Sequence, residues 1–208
     1  MNAAFWRGRR VLVTGGGGFI GSYVVARLTG ELGLPLDSVR VPRSRECDLR
    51  RFDDCVRAVE GCDIVIHLAA VTGGIAFSRA HPASQYHDST HIDLNVFRAA
   101  QAAGVKKVVA IGNLFAYAAD APIPLHERDL FEGLPTDAHR GVGWMKRNLA
   151  VVADLYQREF NFPIVVVYSA NAYGPRDSLD PKHAHDIRAG IESTVQWYRE
   201  HFSPAPKG

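Results

Sequence analysis

The segment Thr14-Gly15-Gly16-Gly17-Gly18-Phe19-Ile20-Gly21 is the strongest indication of the fold in this sequence. It follows a β-rich apolar run at residues 10–14 and precedes a helical pattern in which Val24, Leu28 and Leu32 recur at four-residue steps. Glycines at every third position between a strand and a helix permit a tight turn and let backbone N–H groups approach a pyrophosphate at the helix N-terminus. The segment predicts a dinucleotide-binding turn; the alternative is a glycine-rich turn without a ligand.

The same alternation of short apolar runs and longer periodic segments continues along the chain. Strands alternating with helices indicate a parallel sheet covered on both faces, and right-handed crossovers make it doubly wound, as in the Rossmann fold. Trp144 and Tyr156 are expected on the buried face of the last of these helices. Four further strands are predicted at residues 38–41, 63–67, 107–111 and 163–168, with helices at 52–59, 82–103 and 145–160 and a loop at 118–141.

Composition narrows the class of protein. The chain has 208 residues, enough for one domain, and 24 basic against 22 acidic residues, a balance that argues against a nucleic-acid partner. No apolar run approaches the roughly 20 residues of a membrane span, and the first ten residues lack the apolar region of a signal peptide. Cys47, Cys55 and Cys62 have no CxxC spacing and are interpreted as reduced thiols without a metal. We expect a cytoplasmic protein that binds no membrane.

The second predicted strand bears on the choice of cofactor. A dinucleotide site commonly has an acid about 20 residues past the glycines, which holds the ribose 2′-hydroxyl. This chain has Arg43 and Arg45 there instead, which favours the 2′-phosphate of NADP; if both are solvated loop charges, NAD remains the alternative. Asp48, followed by Leu49, could accept a hydrogen bond from the adenine amino group.

With these motifs in hand, the chain resembles the extended short-chain dehydrogenase/reductase superfamily, the NAD-dependent epimerases and dehydratases, and within it the GDP-L-fucose synthases. The resemblance rests on TGGGGFIG at 14–21, CDLR at 47–50, HLAA at 67–70, GGI at 73–75 and NAYGPRD at 171–177. It implies NADP(H), a nucleotide-sugar substrate and a homodimer through the helices at residues 84–103 and 144–160. Motifs and resemblance together give these cofactor-binding candidates: Gly15, Gly18, Phe19, Ile20, Gly21, Arg43, Arg45, Asp48, Leu49, Leu68, Ala69, Ala70, Lys146 and Asn171.

The resemblance also implies a catalytic Ser or Thr, and a Tyr and Lys in a YxxxK motif on one helix face. Lys146 is present, but Val142 stands where the tyrosine is expected, and valine cannot transfer a proton. Asn113 stands at the serine position and could donate a hydrogen bond to a carbonyl. Lys146 and Asn113 are therefore catalytic candidates, although Lys146 could serve only to hold the nicotinamide ribose.

The GDP-L-fucose synthases use a cysteine and a histidine for epimerisation, and this chain has a matching residue only for the histidine. Phe115 stands at the cysteine position, while His185 matches the histidine and is the third catalytic candidate; a surface histidine is the alternative. His126 and His139 in the predicted loop could be replacement acids, but no spacing supports that role.

The C-terminal part is short for this superfamily. About 40 residues follow the fifth predicted strand, and residues 190–198 resemble the closing helix of longer members. We expect one domain over residues 1–208, with most of the usual substrate domain missing and a shortened segment at about 175–208. Three functions stay open: an epimerase/reductase with altered or lost catalytic groups, a non-catalytic dinucleotide-binding regulatory or assembly module, and an enzyme of another class on the same fold.

Overall fold

Five parallel strands form the centre of the fold. The structure is a computed structural model that describes residues 3–170 and 172. The strands lie in the order β2-β1-β3-β4-β5, so the direction of winding reverses between β1 and β3. This order confirms the predicted doubly wound Rossmann fold and places the expected ligand crevice at the carboxyl ends of β1 and β3. The strands are β1 (Val11–Thr14), β2 (Val39–Arg40), β3 (Ile64–His67), β4 (Lys107–Asn113) and β5 (Ile164–Ser169).

Helices cover both faces of this sheet. They are α1 (Ala3–Trp6), α2 (Phe19–Ala26), α3 (Phe52–Val59), α4 (Ile75–Ala80), α5 (Pro82–Ala102) and α6 (Arg140–Phe160). A π-helical turn, Arg27–Glu31, continues α2, and 3-10 turns occur at Leu36–Ser38, Leu114–Ala116, Glu127–Asp129 and Asp137–His139. Among the described residues, no helix combines the length and apolar character that crossing a bilayer requires.

Side chains of the central strands alternate between two apolar clusters. Leu12 on β1 packs in the cluster that contains Phe97 of α5 and Leu149 of α6. Its neighbours Val11 and Val13 pack on the opposite face, against the cluster formed with the α2 segment. Because successive strand residues point to opposite faces, this alternation buries both sides of β1 and explains its continuous apolar sequence.

The buried face of α6 differs from the prediction at Trp144. Met145 and Leu149 are buried as expected and Tyr156 packs against the core, whereas Trp144 is 41% exposed. Successive helical residues are about 100° apart, so the residue before Met145 points away from the stripe that begins there. Trp144 instead contacts Arg147, whose guanidinium carbon lies 5.0 Å from its ring centre.

Candidate functional site

The glycine turn after β1 is packed tightly on two sides and open at its centre. Gly15 has φ +68°, and a β-carbon there would lie 2.8 Å from the Ala69 nitrogen, so this turn touches the turn that follows β3. A β-carbon on Gly21 would overlap the Gly15 carbonyl oxygen. A β-carbon on Gly18 would meet only that oxygen, at 3.2 Å. Gly15 and Gly21 are thus required by the turn itself, while Gly18 leaves room for a ligand.

Backbone N–H groups face this open position. Gly18 is the N-cap of α2 and no side chain caps the helix. The first N–H groups of a helix, here those of Phe19, Ile20 and Gly21, have no intrahelical partners, and the helix dipole adds partial positive charge at the same end. The turn therefore offers donors to an oxyanion at the crevice where the strand order reverses.

The structure brings one of the two predicted arginines to this turn. A β-carbon on Gly17 would overlap the Arg43 guanidinium, so that guanidinium lies against the glycine turn. Arg43 makes no ion pair with any residue that the structure describes. The side chain of Arg45 is 82% exposed, and its Nε lies 2.9 Å from Glu46 Oε1. Arg43 is therefore positioned for a phosphate at the turn, whereas Arg45 is paired in solvent.

The residues predicted to contact adenine already interact with other parts of the protein. The Asp48 carboxylate accepts hydrogen bonds from Arg50 Nε at 2.9 Å and Nη2 at 2.8 Å, and Arg50 holds the pKa of that carboxyl below its usual range. Leu49 is buried in the core cluster, and its carbonyl oxygen already accepts from Asn95 Nδ2 at 3.2 Å. The Asp48 N–H donates to Asp54 Oδ2 at 2.7 Å and fixes the segment.

A buried polar chain that the sequence analysis missed connects both turns to α5. Thr14 Oγ1 accepts the N–H groups of Leu68 and Ala69 at 3.2 and 3.3 Å, and lies 2.7 Å from His67 Nδ1. His67 Nε2 lies 2.9 Å from Asp93 Oδ1. These two contacts hold the His67 ring between the Thr14 hydroxyl of β1 and the Asp93 carboxylate of α5. Thr14 and His67 are polar residues that end adjacent apolar strands, a signal that the sequence does contain.

The segment beyond Leu68 and Ala69 is held by α5 as well. Ala70 is half-buried beside them. The Val71 N–H donates to Ser89 Oγ at 3.0 Å, and Gln85 Nε2 donates to the Val71 carbonyl oxygen at 3.2 Å. The predicted cofactor-lining turn is therefore a fixed surface next to the glycine turn.

Lys146 lies inside the molecule. Its Nζ donates to the Ile111 carbonyl oxygen at 2.7 Å. Burial lowers the pKa of Lys146, and the charge of Asp93 acts in the opposite direction. Val142, one turn earlier on α6, is buried, so an aliphatic side chain occupies the position where a tyrosine was expected. Lys146 is available to hold a ligand hydroxyl, but no phenol is next to it at that position.

Asn113 is the last residue of β4, and only the oxygen of its side-chain amide has a hydrogen-bond partner in the part of the chain that the structure describes. Its Oδ1 accepts the Phe115 N–H at 3.1 Å and caps the following 3-10 turn. The Nδ2 donors have no partner among the described residues, which fits the expected role as a hydrogen-bond donor. His185 and Asn171, the remaining predicted site residues, lie outside the described residues.

Phe115 and His139 form a flat stack at the start of α6. Their ring centres are 3.8 Å apart and their planes differ by 4°. His139 is the N-cap residue of α6, three positions before Val142. Burial and the charge of Arg79 lower the pKa of His139. Phe115, which stands where the resemblance implied an epimerising cysteine, is thus an aromatic ring that stacks on His139. His126 is exposed on the loop.

Arg147 is a second residue that the sequence analysis missed. It is almost completely buried and its guanidinium donates to the carbonyl oxygens of Ala116, Gly133 and Glu132, at 2.6, 2.9 and 3.0 Å. These bonds attach both ends of the segment after β4 to α6. The sequence could not indicate this role of Arg147, because its partners are main-chain carbonyl oxygens, which every residue has.

The fold and the glycine turn define a Rossmann-type protein with the features of a dinucleotide site. Residues 11–199 match the model of the NAD dependent epimerase/dehydratase family. The chain belongs to that family, which confirms the resemblance drawn from the motifs. It is 30% identical over 183 residues to a putative GDP-L-fucose synthase 2 of Oryza sativa subsp. japonica, covering 88% of this chain and 52% of that protein.

One further relative and two solved structures are similar to this chain over most of its length. The GDP-L-fucose synthase of Dictyostelium discoideum is 27% identical over 188 residues, which cover 89% of this chain and 58% of that protein. The chain thus spans little more than half the length of these relatives. A GDP-L-fucose synthetase from Naegleria fowleri bound to NADP superposes with a TM-score of 0.75 at 23% identity, covering 90% of this chain and 60% of that one. A GDP-D-glycero-L-gluco-heptose synthase from Campylobacter jejuni gives a TM-score of 0.79 at 20% identity, covering 95% and 60%.

Proposed function

We propose that this chain binds NADP(H) in the crevice at the carboxyl ends of β1 and β3 and prefers it to NAD(H). The proposal is carried by one contact, the Arg43 guanidinium against Gly17. A guanidinium offers a planar pair of donors to phosphate oxygens, which suits the 2′-phosphate that distinguishes NADP from NAD. The N–H groups at the start of α2 would hold the pyrophosphate, and Lys146 would hold the nicotinamide ribose.

The reaction proposed for this site is reduction or epimerisation of a keto nucleotide sugar. The named relatives are GDP-L-fucose synthases, which supports a nucleotide-sugar substrate. When bound, NADPH supplies the hydride. The free amide donors of Asn113 would polarise the substrate carbonyl, and the Lys146 ammonium would stabilise negative charge on its oxygen. His185 is the proposed partner for proton movement at carbon.

Two observations favour a second candidate, a non-catalytic dinucleotide-binding module for regulation or assembly. Val142 cannot donate a proton, and Phe115 stacks on His139 where the epimerising cysteine was expected. A module of this kind would keep the glycine turn and Arg43 while losing turnover. Keto-sugar-dependent consumption of NADPH by the protein separates the two candidates.

The cytoplasm is the proposed location. Cys47, Cys55 and Cys62 are free thiols, and Cys55 and Cys62 are buried. Burial raises the pKa of Cys55 to about 12, so it stays protonated at neutral pH. Unpaired, unreactive thiols are typical of proteins kept in a reducing compartment.

Calorimetric titration of NADPH and NADH tests the cofactor proposal. We expect the wild type to bind NADPH at least about tenfold more tightly than NADH, because a charge-assisted bond to phosphate contributes about 1.5–3 kcal/mol. Arg43→Ala should remove that preference and leave NADH binding unchanged. Arg45→Ala is the matched control, since Arg45 is exposed and paired with Glu46, and should keep the preference. Equal affinities of the wild type for both cofactors would overturn the proposal.

A further inference from the structure

A cavity of about 170 Å³ lies where α4 and the beginnings of α5 and α6 meet. Its walls include Ser78 and Arg79 of α4, Gln85 of α5, and His139 and Val142 at the start of α6. An apolar cavity of about 150 Å³ in another protein accepts a six-carbon ring, so this space is large enough for a small ionic group. The cavity borders Val142 and is therefore one helical turn from Lys146.

The beginnings of two long helices converge on this cavity. A β-carbon on Gly141 would lie 3.2 Å from the Pro82 carbonyl oxygen, so the first turns of α5 and α6 are in contact. Each helix has 21 residues, no acidic residue in its first turn and no side-chain cap. Pro82 has no N–H, and the Arg140 N–H donates to the Asp137 carbonyl oxygen, so the donors of these first turns are the amides that follow each of the two residues. Both helix dipoles bring partial positive charge to the same place.

A buried hydroxyl provides an independent observation. Ser78 is 8% exposed and lines the cavity. Its hydroxyl makes no hydrogen bond to any residue in the described part of the chain. The hydroxyl keeps some accessible surface, since Thr90 Oγ1 is the one fully buried polar side-chain atom without a partner among the described residues. The Ser78 hydroxyl is therefore free to bond a group that enters the cavity.

The charges around the cavity favour an anion. Arg79 and Arg140 are cationic, and Asp137 is the one carboxylate among the lining residues. Asp137 is neutralised by Arg140, whose Nη2 lies 2.7 Å from its Oδ1. Arg79 forms no ion pair with a described residue and acts on His139 from α4. With His139 neutral, the lining carries one unbalanced positive charge in addition to the two helix dipoles.

We propose that this cavity is an oxyanion site, which receives a carboxylate or phosphate of a small-molecule ligand through Ser78, Arg79 and the amides at the start of α6. His139 on the wall would gain a second hydrogen-bond partner when the anion is bound. The link to catalysis rests on the proposed function: a substrate whose acidic group enters here would present its sugar ring beside Val142. The preferred substrate is then an acidic sugar and not a neutral one.

Binding of three small probes to the cofactor-free protein tests this inference. Inorganic phosphate, glucuronate and glucose are titrated while amide and histidine resonances are followed by NMR. We expect saturable shifts at Ser78 and at residues 140–142 with phosphate or glucuronate and none with glucose. Saturation by glucuronate indicates a substrate carboxylate, and saturation by phosphate alone indicates a phosphate site. Because cofactor is absent, failure of NADPH binding would leave this result intact.

Two variants and one control locate the binding. Arg79→Ala removes an exposed, unpaired guanidinium and should weaken anion binding at least about tenfold; Ser78→Ala should weaken it about threefold. Arg158→Ala, at the other end of α6 and paired with Asp154, should change it less than twofold. Bound anion should also raise the pKa of His139, opposing the effect of Arg79. The proposal would be overturned if binding did not saturate below about 50 mM, an affinity too weak for a specific site. Equal effects of Arg79→Ala and Arg158→Ala would overturn it as well.

Discussion

At the scale of single residues, the three motif glycines of the turn are not equivalent. Gly18 has φ −82° and ψ −176°, an extended conformation open to any residue, whereas Gly15 has φ +68°. Gly18→Val should therefore leave the fold intact and abolish NADPH binding, because its side chain fills the space needed by the pyrophosphate. Circular dichroism checks the fold and equilibrium dialysis checks binding.

Gly15→Ala is the contrasting variant. Its β-carbon would strain the left-handed backbone and approach Ala69, so we expect a loss of about 1–2 kcal/mol or more in the free energy of unfolding. If Gly18→Val folds and still binds NADPH, the glycines serve the turn alone and the pyrophosphate is not held against Gly18.

Because Val142 stands where a proton donor was expected, we expect little catalytic turnover. General acid–base catalysis contributes about 10²–10⁴-fold, and neither Val142 nor Phe115 can move a proton. We expect turnover of GDP-4-keto-6-deoxymannose, the substrate that the resemblance to GDP-L-fucose synthases implies, to be absent or very slow. Val142→Tyr alone should recover little, because the epimerising cysteine is still missing. The measurement is NADPH consumption by both proteins. Wild-type turnover of about 1 s⁻¹ or faster, within the usual range of enzymes, would show that Lys146, Asn113 or His185 has replaced the tyrosine.

At the scale of elements, Arg147 joins α6 to the segment that follows β4. Arg147→Met removes three hydrogen bonds and leaves the carbonyl oxygens of Ala116, Glu132 and Gly133 unpaired. We expect the free energy of unfolding to fall by about 2–4 kcal/mol, with faster hydrogen exchange around residues 116–133. Arg147→Lys keeps the charge but lacks the planar fork and should recover only part of the loss. Chemical denaturation measures both, and an unchanged midpoint for Arg147→Met would contradict this role.

Elements could be predicted from the sequence where one local signal determines them. The strands are apolar because both faces are covered, and α3 is predicted over its observed bounds, Phe52–Val59. The helix α4 and the first turn of α6 are among the elements that departed from prediction. The six residues of α4 are too few to display a helical period. The first turn of α6 carries Gly141 and Gly143, which favour a loop locally but allow close contact with Pro82 and Phe115.

The candidate site was only partly predictable for a related reason. The glycine turn has a local signature, so its position follows from the sequence. The position of Arg43 depends on how the segment after β2 returns toward Gly17, and the Thr14, His67 and Asp93 chain joins three distant elements. Such contacts depend on the packing of the sheet and helices, which no local pattern encodes.

At the scale of the whole molecule, α5 and α6 present apolar side chains to solvent. Leu94 on α5, and Trp144, Val151 and Leu155 on α6, are exposed although they are large and apolar. Residues 144, 151 and 155 recur at helical spacing on one side of α6, and such stripes mark interaction surfaces. This surface agrees with the homodimer implied by the family resemblance, and we propose that the chain dimerises through it.

A charge on that surface tests the homodimer. Leu155→Glu should shift the protein from dimer to monomer in analytical ultracentrifugation, because an unpaired carboxylate buried at an interface is strongly unfavourable. Leu36→Glu is the control, since Leu36 is exposed but lies away from both helices. A monomeric wild type, or dissociation by both variants alike, would rule out this interface.

Because Gly15 lies against Ala69, the proposed cofactor site is complete only after the chain has been synthesised past β3. A nascent chain that has just emerged past β2 contains the whole glycine segment, yet Thr14 still lacks the amides of Leu68 and Ala69 and the imidazole of His67. That imidazole is oriented only after Asp93 has emerged and α5 has docked. The proposed site is thus a product of assembly and not of a peptide motif alone, and NADPH bound there would stabilise chains that have passed this stage by an amount set by ligand concentration over Kd.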